Sequence, residues 1–346
     1  MSKSYIQHEG RVINTDKKFT HVMAITLDPR VNYREGTLRC ITSREGDIAI
    51  KGSVDRSELH KIKGDSLEHF EIGERLIIKN EKEIIDSLIP EGWDFIGLED
   101  PDIWIDPVTD LMHLYFTIPI RPPKKLHDSG EKVKVHLGHA VGKDLGSLEM
   151  TMLVLMDTVQ LSAKEVSIAP VNKKGFRYNL IESRDRQTDI TYSVVKVAIA
   201  EDMGKPWKYG DTVFHPAEHN ISWIAGHASP GPLFSKSFID VGEGKLLGII
   251  NGCEANQKIE EGIKYGTFSI GLFIYDYENG KIDWVSENPF IEDSEAGRSG
   301  KRAITFASQF VETGQGEGIL YAHVDDSFVR AYTLKAEDLK TLLPDE

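Results

Sequence analysis

The sequence predicts an all-β molecule, and three observations carry that expectation. Apolar residues fall in short alternating runs rich in Val, Ile, Tyr and Phe: TLRCITSR (37–44), LMHLYFTI (111–118), FRYNLIES (176–183), KLLGIING (245–252) and GILYAHVD (318–325). Helical periodicity is confined to EKEIIDSLI (81–89) and AEDLKTLL (336–343), about two turns each. The third observation is a recurrence. A small or acidic residue followed by Pro or Ser stands at Asp28-Pro29, Asp100-Pro101, Ala169-Pro170, Ser229-Pro230 and Ala307-Ser308, with spacings of 72, 69, 60 and 78 residues.

Each of these openings leads into a turn and one of the apolar runs. The later runs GHAVGKDL, VVKVAIAEDM, IGLFIYDYENG and VRAYTLKAEDL close four of the units. A unit near 70 residues has room for four strands, and five such sheets around an axis make a five-bladed β-propeller. A pair of β-sandwiches is the alternative, but it offers no reason for that period. No Ser/Gly linker divides the units, so residues 1–18 read as an N-terminal arm and 19–346 as one propeller domain. The strands at 37–43, 111–118, 176–182, 245–251 and 318–323 are expected to line the axis.

Composition narrows the partners. Hydrophobic residues make up 40% of the 346, enough for a sizeable core, and charged residues 28%. The 55 acidic against 41 basic residues leave a net charge of −14. That sign opposes association with nucleic acid or an anionic membrane, where Lys and Arg must neutralise phosphates. No run approaches the roughly 18 apolar residues of a membrane span, and the N-terminus lacks a secretory apolar core. A cytoplasmic protein is expected, with Cys40 and Cys253 as reduced, core-filling thiols. A homo-oligomer is compatible with this composition.

In a propeller the strand entrances converge on one channel, so residues about 70 apart in sequence meet in space. The openings and the strand ends carry the chemistry-bearing groups. The openings hold Asp28, Glu99, Asp100, Asp102, Lys164, Glu165, His227 and Ser308; the strand ends hold Arg44, Arg184, Glu254, Asp325 and Asp326. Carboxylates gathered with Arg and His are the equipment of glycosyl transfer, in which an acid protonates the leaving oxygen and a second group serves the nucleophile. Plainer roles exist for several of them. Asp before Pro commonly starts a turn, which suits Asp28, and Asp106 before Pro107 has the same form. Lys164-Glu165 would serve as an exposed ion pair, and His227 as a turn residue. No HExxH, Walker loop or GxSxG elbow is present.

The segments GLEDPDIWID with LMHLYFT, AKEVSIAP before GFRYNLIESR, GHASPGPL with IING, and ILYAHVDDSFVRAYTL resemble glycoside hydrolase family 130 over about residues 19–335. The resemblance implies a five-bladed propeller acting on β-mannosides. It implies Asp100, the Asp of EDP, as catalytic acid, Arg44 against the glycone sugar and Asp326 on sugar hydroxyls. His21 falls where the family has a sugar-binding Asn, and Lys164 and Arg184 fall on basic positions that surround phosphate in phosphorylases. Asp102 replaces the usual Arg, and Ile250-Asn251 replace a Tyr-His pair. The related five-bladed families 43 and 32 use three carboxylates, for which Asp28, Asp100 and Glu254 would be the triplet.

The resulting expectation is a carbohydrate-active enzyme hydrolysing β-mannoside-type bonds in a glycoside or oligosaccharide, with Asp100 as general acid. Glu254 and Glu165 are the candidates for a second carboxylate about 6.5–9.5 Å away, the inverting separation. A phosphorylase is the alternative, with Lys164, Arg184 and His227 holding phosphate and no base required. A sugar-binding propeller without catalysis is the third reading. No cofactor or metal is expected, inorganic phosphate being the co-substrate in the phosphorylase case.

Overall fold

The computed structural model describes residues 4–344 apart from 14, 16–17, 51, 129–131, 156–161, 188–189, 261 and 299–301. The chain is built of antiparallel meanders. β1 (Tyr5–Gln7) is set aside for the last of them. The first sheet is β2 (Val22–Leu27), β3 (Glu35–Glu45), β4 (Val54–Gly64) and β5 (Phe70–Arg75), hydrogen-bonded in that order. In the second, β6 (Asp94–Phe95) and β7 (Glu99–Ile105) both pair with β8 (Met112–Arg121), followed by β9 (Lys134–Gly142) and β10 (Glu149–Leu153). The third is β11 (Lys164–Ser167), β12 (Arg177–Gln187), β13 (Ile190–Ala200) and β14 (Lys208–Phe214).

The fourth runs β15 (His227–Leu233), β16 (Lys245–Cys253), then β19 (Phe268–Asp276) and β20 (Lys281–Val285), with the small hairpin β17 (Gln257–Ile259) and β18 (Gly262–Lys264) inserted. A parallel bridge between Ser193 and His227 joins it to the third. The last is β21 (Thr305–Gly314), β22 (Glu317–Val324) and β23 (Phe328–Lys335), completed by β1 on its outer edge. The stretch expected as an arm thus supplies a strand.

Helices form at α1 (Glu81–Leu88) and α3 (Ala336–Lys340), where the periodicity places them, with a further short one at α2 (Lys124–Asp128). Among the described residues no helix is long and apolar enough to cross a membrane. Cys40 and Cys253 are buried and free.

Each junction between sheets has its own apolar core. Leu59 and Ile78 meet Leu114 and Ile118 between the first and second sheets. Tyr115 and Leu137 meet Ile181 and Ala198 at the next junction, and Leu180 and Val195 meet Ile250 and Phe273 after that. Leu247 and Leu272 pack on Leu320 and Tyr332, and Tyr321 and Val329 of the last sheet return to Val22 and Leu38 of the first. Fully burying a side chain of this size is worth about 1.5–3 kcal/mol, so every junction is held by its own hydrophobic contribution.

The strands that touch from sheet to sheet are the leading ones, in the order β2, β7, β11, β15, β21 and back to β2. The runs expected on the axis are therefore one strand further out. They are apolar because β3, β8, β12, β16 and β22 are flanked by a strand on each side.

The leading strands share a local irregularity. The ladder slips between Met23 and Ile25, between Glu99 and Asp102, and between Lys164 and Val166. The displaced residues Ala24, Asp100 and Glu165 have φ of 48°, 47° and 50°. A β-bulge of this kind bends the strand and re-aims one side chain. Gly97 prepares the second of these turns. Its φ is 134°, and a Cβ there would lie 2.0 Å from the Ser57 carbonyl oxygen, so only glycine lets the chain close against β4 just before Glu99.

Candidate active site

Because β7 and β11 touch, their equivalent bulges bring Asp100 and Glu165 together. The two carboxyl groups share a hydrogen bond. Burial, and next the charge of Asp100, raise the Glu165 carboxyl well above its ordinary range. Of the carboxyls facing Arg39 and Lys164, Glu165 is thus biased toward its neutral form by burial. Asp100 is only 6% exposed and is ion-paired to Arg39 Nη1 at 3.0 Å. The other arm of that guanidinium forms an ion pair with Glu99.

Arg39 reaches this position from the middle of β3. Its Nε donates to Ser57 Oγ at 3.2 Å, and Ser57 Oγ donates to the Leu98 carbonyl at 2.9 Å, which braces the chain entering β7. Burial opposes the Arg39 charge, but Glu99 and Asp100 outweigh it and raise its pKa. Glu99 is pushed up to about 7, first by burial and also by Asp100, with Arg39 pulling the other way. The ion pair and this rise point in opposite directions for Glu99. Burial, joined by the charge of Asp100, outweighs the guanidinium that Glu99 touches.

On the β11 side, Lys164 Nζ lies 3.4 Å from Glu182 Oε2, and His227 Nε2 lies 3.0 Å from the same oxygen. The Glu182 side chain is 3% exposed. Burial alone would raise its carboxyl, but His227 and Lys164 outweigh that and hold it down at about 2. Burial likewise lowers the His227 imidazole, against the pull of Glu182. Arg184, two residues along β12, donates to the Val133 carbonyl at 2.9 Å and feels the Glu182 charge. Arg302 completes this basic corner. It donates to the Gly266 carbonyl at 2.7 Å and to Cys253 Sγ at 3.2 Å, and its guanidinium lies over the rings of Tyr265 and Phe268 at 4.7 and 4.6 Å. Its charge reaches His227 and Asp326.

A third edge of the site comes from the first and last sheets. Arg44 forks onto Asp55 at 2.7 and 2.6 Å and donates to the Asp326 carbonyl at 2.7 Å. Asp326 Oδ1 lies 3.2 Å from His323 Nε2. Burial opposes its charge, yet His323, Arg302 and Arg39 lower the carboxyl to about 2. His21 stands at the same end, its carbonyl accepting from Ile41 N–H at 3.0 Å.

Two expected residues are not gathered here. Asp28 lies at the far end of β2 from His21. Its Oδ1 accepts the Arg30 backbone N–H at 2.9 Å and its Oδ2 accepts the guanidinium at 2.8 Å, so it caps a 3₁₀ turn. Glu254 follows β16 next to the site, but its side chain is exposed and its Oε2 accepts the Thr267 N–H at 3.2 Å. Among the described residues, neither side chain hydrogen-bonds or ion-pairs with Asp100; Asp28 is engaged by Arg30 and Glu254 by Thr267.

Arg39, Glu182 and Arg302 are the residues that reasoning from sequence missed. Arg39 and Glu182 were visible as charges inside otherwise apolar runs, TLRCITSR and FRYNLIES. A charge at such a position is held only when it is paired. Arg302 lies in a loop and offered no signal.

Asp102 is opposite Tyr115 in the β7–β8 ladder. Burial pushes its carboxyl up to about 7, and a backbone N–H from Ile103 only partly offsets this. A carboxyl raised in the folded state contributes stability below its unfolded pKa near 4, and that contribution is lost as pH rises to about 7. Asp102→Asn should therefore remove part of the decline. Unfolding free energies from urea denaturation between pH 4 and 8 are expected to fall less in the variant, by about 2 kcal/mol after discounting for partial exposure. Parallel curves would show that Asp102 ionises freely in the folded protein.

No family model and no curated protein matches this sequence. Solved structures do. A β-1,2-mannobiose phosphorylase from Listeria innocua, in complex with β-1,2-mannobiose, aligns over 98% of this chain and 99% of its own at 14% identity, with a TM-score of 0.62. A glycosyl hydrolase from Bacteroides ovatus aligns over 92% and 85% at 15% identity, TM-score 0.64. A mannose phosphorylase from Leishmania mexicana, in complex with phosphate, aligns over 98% and 92% at 14% identity, TM-score 0.55. The chain shares their fold. That likeness runs through nearly the whole length of each chain.

Proposed function

We propose that this protein is a five-bladed β-propeller enzyme that cleaves glycosidic bonds by hydrolysis, with a β-mannoside-type glycoside as substrate. The architecture rests on the closed order of leading strands and on the return of the last core to the first sheet. The observation that carries the function is the buried carboxyl pair of Asp100 and Glu165, placed by equivalent bulges and countered by Arg39. A carboxyl pair whose burial favours the protonated form of Glu165 offers a proton to a leaving-group oxygen, and Arg39 compensates the charge left behind. Delivery is assigned to Asp100, with Glu165 as the proton's reserve. Arg44, Asp326 and His21 form the edge where sugar hydroxyls would be held. The resemblance to family 130 and the folds of the mannobiose phosphorylase and the glycosyl hydrolase support this reading.

Phosphorolysis is the second reading, favoured by the cluster of Lys164, Arg184, His227 and Arg302. The test is product analysis. Aryl glycosides and short mannosides are incubated with and without phosphate. The hydrolytic reading expects free sugar at a rate indifferent to phosphate. A requirement for phosphate with release of a sugar 1-phosphate would replace it with the second reading, and no turnover of any glycoside would leave a sugar-binding propeller.

A further inference from the structure

The basic corner already contains an anion. Lys164 and His227 converge from two different leading strands on one oxygen of Glu182, at 3.4 and 3.0 Å. Glu182 itself projects from β12, opposite Lys164 in the ladder, and its side chain is 3% exposed. Arg184 feels its charge and Arg302 acts on His227, the two guanidiniums being bonded to backbone carbonyls and to a cysteine sulfur. A carboxylate oxygen facing a Lys ammonium and an imidazole nitrogen has the arrangement a bound phosphate oxygen would otherwise have.

We propose that Glu182 is a specificity-determining residue: it fills the basic corner as a built-in anion, denies that corner to phosphate, and leaves water as the acceptor of the cleaved glycosyl group. Both donors that an incoming phosphate would recruit first are held by Glu182. A phosphate within reach of Lys164 would also lie beside a buried carboxylate, and like charges at such range repel strongly where solvent is excluded. The depressed Glu182 carboxyl agrees with this, since His227 and Lys164 favour its ionised form. The net charge of the corner alone would not predict exclusion, because the cations outnumber Glu182. The geometry does, because the donors are directed at Glu182.

The inference takes its meaning from the proposed glycoside cleavage, but its test reads binding and needs no turnover. Inorganic phosphate is titrated calorimetrically into wild-type protein, Glu182→Gln, and Glu182→Gln with Lys164→Gln. Wild type is expected to show no binding in the millimolar range. Glu182→Gln keeps the shape and removes the charge, and should bind phosphate about 100-fold or more tighter than wild type. The second substitution should abolish the gain. Wild-type protein that binds phosphate as tightly as Glu182→Gln overturns the proposal, and so does a folded Glu182→Gln that gains nothing. A gain that survives Lys164→Gln places the phosphate elsewhere and also overturns it. Glu182→Ser serves if the glutamine variant does not fold by circular dichroism, and the wild-type titration decides alone if neither folds, with micromolar binding refuting the proposal and its absence up to millimolar phosphate sustaining it. An absence of glycosidase activity in all of these proteins would count against the proposed function and would leave the binding result standing.

Discussion

Asp100→Asn is expected to lower the turnover of a glycoside substrate by about 10²- to 10⁴-fold while the protein stays folded, the range typical of losing a positioned general acid. Folding should survive because asparagine tolerates the positive φ of 47° better than most residues, and because Pro101 and the β7–β8 ladder are untouched. The substitution also removes the charge that helps to raise Glu165. The residual activity should then lose its alkaline limb at lower pH than in the wild type, since Glu165 gives up its proton more readily. Steady-state kinetics from pH 4 to 9, with circular dichroism as control, measure both effects. Full activity in folded Asp100→Asn would move the acid elsewhere.

The second large effect concerns Arg39. Its side chain is 10% exposed and forks across Glu99 and Asp100. Arg39→Met keeps the volume of the stem and leaves two acids, with Glu165 behind them, buried beside no guanidinium. Removing one partner from a buried ion pair costs about 3–5 kcal/mol. The loss should depend on pH with a definite sign. Without Arg39, which pulls the Glu99 carboxyl down, the folded-state pKa of Glu99 rises further, so its contribution is intact below the unfolded value near 4 and is lost as pH rises. Urea denaturation should show a small deficit at pH 4 and the full deficit by pH 8. A deficit that is constant across this range would mean that Arg39 contributes packing and not charge.

The two variants probe groups of unequal visibility in the sequence. Asp100, Glu165, Lys164 and His227 were legible because each stands where a polar segment interrupts the apolar rhythm. By pattern those interruptions are turns opening each unit, whereas in the structure EDPDIWI, KEVS and HASPGPL are the leading strands themselves. A bulge with positive φ defeats alternation, so the strands that carry the chemistry look least like strands. The runs that look most like strands are the next ones out, sandwiched in the sheet. Asp28 was misplaced for a related reason. Asp-Pro recurs at residues 28 and 100, but at 28 it caps the turn after its strand and at 100 it lies within one. Glu182 lies inside an apolar run, and a pattern of hydrophobicity does not say what a lone charge inside it is paired with.

The closure of the last sheet has a consequence for how the protein is made. β1 pairs with β23, and His8 reaches Thr333, 325 residues away. At ordinary rates of about 5–20 residues per second, β1 leaves the ribosome roughly 15–65 seconds before its partner exists. Throughout that interval the nascent chain carries an unpaired strand of its own, including the exposed Ile6 and the otherwise buried Tyr5. The earlier sheets can form as they emerge, since each is local in sequence. The seam cannot, and the buried Arg330, which donates to the His8 and Glu9 carbonyls, has to wait for the same event. Maturation should thus end on one late, long-range step, and a truncation that removes the first eight residues should yield a protein that folds most of its sheets on schedule and never locks.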